Sequence, residues 1–303
     1  MLRRPTNRTI ETVVKIFFLI CIVAPLKLLA SPQMPDYIVY GKDTAATYNL
    51  LLEQYLQRQE TSKTEKLFGL SFRNGSSFNC WRGYQAIYKI DNDSLFVVDI
   101  INCGELRNGR IDKAASGEKM KTIFGNNLKH NRAYVEWFSG DINIPLNNQL
   151  LRWDGVFYKI FEKERVFNIG NGSILKVEDV SNYVEVPGAI DRRDKDKVAD
   201  ILFKRLKKVK WKKADDCDCS EKYMVTIDEN GYVQRVRMLE YETDEKIAED
   251  WDRKEYDYCI GTMYNALKKM RFDIVRDKGK PFSEDIYIEI WTEDNGRIEN
   301  WTR

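Results

Sequence analysis

A single histidine, His130, occurs in 303 residues. Imidazole is the commonest metal ligand and the only side chain that titrates unperturbed near neutral pH, so most histidine-based metal centres and general-base mechanisms are excluded. Its neighbours Lys129 and Arg132 place it in a polar, loop-like stretch, where a surface histidine is expected. There is no Gly-x-Ser-x-Gly elbow to present a nucleophile, no P-loop and no dinucleotide fingerprint. Proline is scarce, at seven, and scattered, so the chain has no stiff proline-rich spacer. An excess of one charge is missing too: the formal net charge is +2, too little to draw the protein to nucleic acid. No internal repeat or low-complexity tract stands out.

Hydrophobic residues at 43% and charged residues at 32% describe a globular chain, and its length suffices for two ordinary domains. The first thirty residues read as an export signal. Arg3, Arg4, Arg8 and Lys15 precede the apolar run 16–24, continued after Pro25 by Leu26, Leu28 and Leu29, with Ala30 at a tolerable cleavage site. The uninterrupted run is shorter than the roughly 20 residues that span a bilayer, which favours cleavage over a retained anchor. Cys21 lies inside the run and not after a small-residue lipobox, which disfavours a lipoprotein. Export permits disulfides. Beyond the leader stand Cys80, Cys103, Cys217, Cys219 and Cys259, an odd number, so at least one thiol stays free or pairs with another chain.

Tyr48, Leu51, Leu52, Tyr55 and Leu56 recur at helical spacing, predicting a helix over 44–59. From Leu67 to about Val186 the pattern is that of strands. Tyr84, Ala86, Tyr88 and Ile90 alternate, Asp91-Asn92-Asp93 supplies a turn, and 94–101 resumes a strand. Cys80 and Cys103 flank this hairpin, so a disulfide between them is expected. Further strands are predicted at 133–138, 141–145, 156–161, 166–169 and 173–177, suggesting an antiparallel sheet, rolled or sandwiched. The polar segment 187–196, with Pro187 and Gly188, is expected as a linker. After it, Val198, Ile201, Leu202, Leu206 and Val209 mark an amphipathic helix. A hairpin follows around Asn230-Gly231, then a second helix through Tyr256, Ile260, Met263, Leu267 and Met270, and a closing strand over 285–291.

Three blocks of this last third carry a resemblance: YMVTIDENGYVQRVRML at 223–239, NALKKMRFD at 265–273 and GKPFSEDIYIEIW at 279–291. In order and spacing they resemble the C-terminal domain of TonB, the periplasmic energy-coupling protein of Gram-negative bacteria. The resemblance covers about 195–303. It implies two helices on a three-stranded antiparallel sheet and a protein-binding habit. It does not imply transport energisation, because the long proline-rich spacer of that family is missing. The proline that usually follows the helix-ending aromatic is also replaced, Phe272 being followed by Asp273 and Ile274. Residues 80–145 look like uncharacterised exported bacterial proteins, which supplies no activity.

Other candidate chemistry has simpler explanations. Asp215, Asp216, Cys217, Asp218 and Cys219 mix hard and soft ligands with no second cysteine pair or histidine nearby, so a disulfide from Cys217 or Cys219 to Cys259 is favoured over a metal. Glu136 and Asp141 flank aromatics as glycosidase carboxylates do, yet strand alternation and a turn account for them. Lys204, Lys207, Lys208, Lys210, Lys212 and Lys213, with Trp211, form a basic run read as a solvated helix face.

The expected architecture is α+β: signal 1–30, a helix plus a β-rich antiparallel domain over 31–186, linker 187–196 and a TonB-C-like domain over 197–303. The expected function is non-enzymatic: an exported protein of the periplasm or cell surface of a Gram-negative bacterium that binds an envelope protein. No cofactor, metal or nucleic acid is called for, and membrane contact would come only through an uncleaved leader. Tyr287, Ile288, Glu289, Ile290 and Trp291 are the candidate contact residues, by strand addition at a sheet edge, and Cys80, Cys103, Cys219 and Cys259 the disulfide candidates. The alternative is a carboxylate-based hydrolase of cell-wall or glycan material working from the first domain, and a weaker third reading is a toxin-neutralising inhibitor.

Overall fold

The computed structural model describes residues 32–59 and 77–302. The expected leader, with Cys21, and the polar break at 61–66 lie outside the described residues. What is described is a mixed α+β protein, mostly sheet, with five α-helices and no barrel. No helix among the described residues is long and apolar enough to cross a membrane.

The first lobe is built on one large sheet. β1 (Asp36–Tyr40) and β2 (Asp43–Thr47) form a hairpin, followed by α1 (Leu51–Gln59). The helix expected over 44–59 therefore begins only at Leu51; its first part is strand, because Asp43–Thr47 pairs antiparallel with Tyr40–Asp36. Here tertiary pairing overrides local helical spacing. The predicted hairpin is present as β3 (Gln85–Asp91) and β4 (Ser94–Ile101), and all four alternating residues, Tyr84, Ala86, Tyr88 and Ile90, are buried. Asn92 and Asp93 take the left-handed conformation that a tight hairpin turn requires. A helix missed in the sequence, α2 (Lys113–Phe124), packs on β4. It is capped by Asp112, whose carboxylate accepts the Ala115 N–H, and it buries Met120, Ile123 and Phe124.

The remaining strands of this lobe are β5 (Leu128–Lys129), β6 (Arg132–Tyr134), β7 (Gly140–Pro145), β8 (Leu150–Trp153), β9 (Lys159–Phe161), β10 (Lys163–Gly170) and β11 (Ser173–Ser181). The large sheet runs β2-β1-β3-β4-β11-β10-β7, with β6 attached to β4 and β5 to β6, while β8 and β9 form a separate ribbon. The expected antiparallel pairing holds in this sheet except between β1 and β3, which are parallel. Its core gathers Leu51, Leu52, Leu56, Tyr88, Val97, Phe124 and Phe167.

The second lobe starts after a short strand, β12 (Tyr183–Val184). Its elements are α3 (Lys195–Leu206), β13 (Glu221–Ile227), β14 (Val233–Met238), α4 (Asp244–Asp250), α5 (Arg253–Leu267), β15 (Ile274–Asp277), β16 (Lys280–Pro281), β17 (Glu284–Thr292) and β18 (Ile298–Asn300). The expected sheet of three strands has four, in the order β14-β13-β17-β18. β17 is thus not the closing strand: a turn at Gly296 returns the chain so that Ile298–Asn300 pairs with Thr292–Ile290. The two predicted helices are present as α3 and α5. Val198, Leu202, Leu206, Met263 and Leu267 are buried in the core with Tyr223, Val225, Ile286 and Ile288, whereas Ile201 is only half-buried. Gly231 is a position where only glycine fits. Its φ is +83°, and a Cβ there would stand 2.2 Å from the Phe272 carbonyl oxygen.

Candidate functional site

The five candidate contact residues lie on β17, where alternation divides them. Ile288 and Ile290 point into the core, so they cannot meet a partner. Tyr287, Glu289 and Trp291 point to the sheet's other face, with Tyr287 and Glu289 half-buried and Trp291 47% exposed. The Tyr287 hydroxyl donates to the Glu289 carboxylate, and burial together with that carboxylate raises its pKa. The edge of β17 from Glu289 onward is occupied by the chain itself. Trp301 N–H donates to the Glu289 carbonyl at 2.9 Å, Glu289 N–H donates to Thr302 Oγ1 at 2.9 Å, and β18 pairs beyond. Strand addition at residues 287–291 as expected is thus blocked over the second half of the segment. The outer strand here is β18, which among the described residues pairs only with β17.

Beside this strand stands a residue the sequence reading did not single out. Trp301 is 51% exposed and stacks on Trp291, with ring centroids 5.2 Å apart and planes 21° apart. The pair is an aromatic platform at the rim of the sheet, and the Trp301 indole N–H donates to the Glu299 carboxylate at 3.3 Å. The only signal for it in sequence is a tryptophan immediately after a short alternating run, which gains meaning only when that run folds back on β17.

Between the lobes the residues expected as a linker are packed. Ile190 bridges to Phe272, and Arg192 is fully buried. β12 pairs with β15, joining a strand that precedes the expected linker to one that follows it. At the centre is Glu284, buried, whose carboxylate accepts from Arg152 Nε at 2.5 Å, Arg152 Nη2 at 2.7 Å and Arg192 Nη2 at 3.2 Å, with Lys195 Nζ at 2.9 Å. Burial alone would raise its pKa, but Arg152 and Lys195 outweigh burial and hold it at about 2.

A second cluster surrounds the Tyr183 hydroxyl, which accepts the Arg192 N–H and sits 2.7 Å from both Asp191 and Asp273. Burial and these two carboxylates push the phenol's pKa up. Asp273 also accepts the Val186 N–H. Asp273, which follows the helix-ending Phe272, is therefore a residue that fastens the junction. Glu164, another buried carboxyl, accepts from Phe161 N–H and Asn182 Nδ2, and burial raises its pKa.

A cleft of about 900 Å³ opens at this junction, lined among others by Leu150, Arg152, Trp153, Lys195, Ile201 and Phe282. Four of the carboxylates that line it are engaged. Glu284 is held by three cations, Asp154 accepts the Val156 and Phe157 N–H groups, Asp191 meets Tyr183 and Arg193, and Asp194 caps α3.

The other sequence candidates are distributed as follows. His130 is exposed in the β5–β6 turn at a φ of +52°. Glu136 is exposed, while Asp141 is tied to Asn168 at 2.7 Å and Lys280 at 3.1 Å. The basic-run lysines are exposed, but Trp211 is buried and its indole donates to the Leu206 carbonyl, so it offers no stacking surface. Both disulfide pairs come together: Cys80 with Cys103, Cα atoms 6.2 Å apart, and Cys219 with Cys259, 5.6 Å apart. Cys217 remains a free, buried thiol beside the second pair. Cys217, Cys219 and Cys259 are the group of metal-ligand types that the described residues bring together, with two of the three sulfurs consumed by the disulfide.

Compared with known proteins, the chain matches no family model, no curated protein and no solved structure.

Proposed function

We propose that this is a non-enzymatic exported protein of the periplasm or cell surface that binds an envelope protein through its C-terminal lobe, a TonB-C-like arrangement of two long helices on a sheet. Two disulfide pairs are compatible with an oxidising compartment. The order helix, strand, strand, helix, strand from α3 to β17 supports the family likeness, with α4, the short strands β15 and β16, and β18 as additions. The observation that carries the binding reading is the stacked Trp291–Trp301 pair, half exposed beside a three-residue strand that among the described residues pairs only with β17. Exposed aromatics at a sheet rim are characteristic anchors of protein interfaces. The contact surface is accordingly Tyr287, Glu289, Trp291 and Trp301 on the open face, with β18 as the strand a partner could extend.

The test uses the full chain in its host, with a photo-crosslinking side chain placed in turn at positions 291, 301 and, as control, at Leu175, which is 67% exposed in the first lobe. One discrete adduct from the first two positions and not from the third is expected, together with an adduct from a crosslinker at position 287 that is lost when Trp291→Ala and Trp301→Ala are combined with it. An identical adduct pattern from all three positions, or none from 291 and 301, would overturn the reading.

A further inference from the structure

The segment 211–220, between α3 and β13, carries one more sulfur than its disulfide uses. Cys217 and Cys219 lie two residues apart on it, and Cys259 faces them from α5. Cys219 and Cys259 are bonded, yet the Cys217 sulfur lies 3.8 Å from Cys259 Sγ, close to van der Waals contact. All three sulfurs fall within 4.8 Å of one another and all three residues are buried. The first lobe offers the contrast, because its Cys80–Cys103 bond has no third cysteine beside it among the described residues.

We propose that Cys217, Cys219 and Cys259 form an internal exchange centre, in which Cys217 attacks Cys259 Sγ and the disulfide moves from Cys219–Cys259 to Cys217–Cys259. The step balances within the protein. With Cys217 3.8 Å from Cys259 and all three sulfurs within 4.8 Å of one another, they are not collinear, so the Cys217 side chain first turns to bring its sulfur in line behind the Cys259–Cys219 bond. Cys217 then gives up its proton, its sulfur lone pair forms the new bond to Cys259, and the old bond's pair leaves on Cys219, which takes up a proton. Nothing is oxidised or reduced overall. The two isomers staple the same segment to the same helix. Burial keeps outside thiols and oxidants from the sulfurs, which leaves the neighbouring sulfur as the accessible reaction partner.

The attacking species is the thiolate. Burial first, then Glu255, Asp218 and Asp252, raise the Cys217 pKa, against Lys212, which lowers it. Exchange therefore accelerates as pH rises into the alkaline range. Tyr223 O–H donates to the Cys219 carbonyl at 2.9 Å, fixing the end of the segment about which the two sulfurs trade places.

The experiment incubates the full-length oxidised protein at several pH values, quenches it in acid, alkylates free thiols in acidic denaturant and locates the label by fragmentation mass spectrometry. The expected result is label on both Cys217 and Cys219, in a ratio that becomes constant with time and does so sooner at alkaline pH. In addition, Cys219→Ser should carry a Cys217–Cys259 bond, and Cys217→Ser a Cys219–Cys259 bond. Label confined to Cys217 at every pH and time would overturn the proposal, as would a folded Cys219→Ser in which both remaining sulfurs are free. If Cys219→Ser does not fold, the wild-type label distribution decides alone.

Discussion

The two lobes are held together internally by the same forces but reach their folds by different routes. In the second lobe, two hairpins, β13–β14 and β17–β18, are joined by a single long-range pairing, that of β13 with β17. In the first lobe, β1 lies beside β3 across an intervening hairpin arm and helix, and β7 pairs with β10 across the β8–β9 ribbon. Each lobe has an apolar core and one disulfide. The join between them is different in kind, resting on Arg152, Arg192, Glu284, Tyr183 and Asp273 around only a small apolar cluster of Leu151, Tyr183 and Val275. Apolar packing makes each lobe, with a buried Arg82–Asp36 ion pair inside the first; buried charge couples the two.

If that division is right, the largest single effect comes from the junction. Glu284→Gln removes the charge that faces three cations and leaves Arg192 buried without a counter-charge, which costs about 3–5 kcal/mol. Denaturant unfolding should show a lower midpoint and separation into two steps as the lobes uncouple. A single transition shifted by less than about 1 kcal/mol would show that packing, not charge, joins them. Acid should act in the same direction. The Glu284 carboxyl has a pKa of about 2 folded and an ordinary value of 4.5, so its contribution is present above about 4.5 and is lost as pH falls towards 2. In Glu284→Gln that loss in the same acid window should disappear.

The disulfides come next and compare the lobes directly. Removing Cys80 and Cys103 together opens a crosslink 23 residues apart, and removing Cys219 and Cys259 one 40 residues apart. Loop-closure entropy puts each at about 3–4 kcal/mol, the longer loop greater by a few tenths. Calorimetry on the two double-serine variants would measure both. A much larger loss in the first lobe would mean that its long-range pairings depend on the crosslink. Below these stands Asp273→Asn, which should cost about 1–3 kcal/mol by weakening the bonds to Val186 N–H and Tyr183 O–H. Chemical denaturation followed by the release of β12 in hydrogen exchange would detect it.

The same contrast governs what could be read from sequence. The β3–β4 hairpin was legible because Tyr84, Ala86, Tyr88 and Ile90 alternate around a turn of Asp and Asn, and its flanking cysteines then had to approach each other. Helices α3 and α5 were legible from Val198, Leu202, Leu206, Met263 and Leu267. Residues 44–47 were misread as helix because their spacing suits one, and only their pairing with β1, a tertiary fact, decides otherwise. Helix α2 was missed although Asp112 and Gly125 bracket it, since Lys, Gly and Ser interrupt its apolar face. The junction was hidden for a similar reason. The segment 187–196 looks like a solvated linker because its residues are polar, and nothing local reveals that Arg192 meets Glu284 across more than ninety positions. The contact strand was half legible: alternation on 287–291 could be seen, but not that residues 298–302 return to cover its edge.

The smallest expected effect on stability is the most informative about function. Trp301→Ala removes a ring that is half exposed and stacked on Trp291. An aromatic pair of this kind contributes roughly 0.5–1.5 kcal/mol beyond area burial, and exposure keeps Trp301 toward the lower end. A residue kept for binding should cost little when removed from the free protein and much when removed from the complex. Unfolding of Trp301→Ala should therefore lie within about 1 kcal/mol of wild type, while crosslinking to the partner falls away. If the substitution instead costs well over 2 kcal/mol, the ring is clamping β18 onto β17. The stacked pair would then belong with the internal packing of the second lobe, and the exposed rim would lose its claim to be where another protein binds.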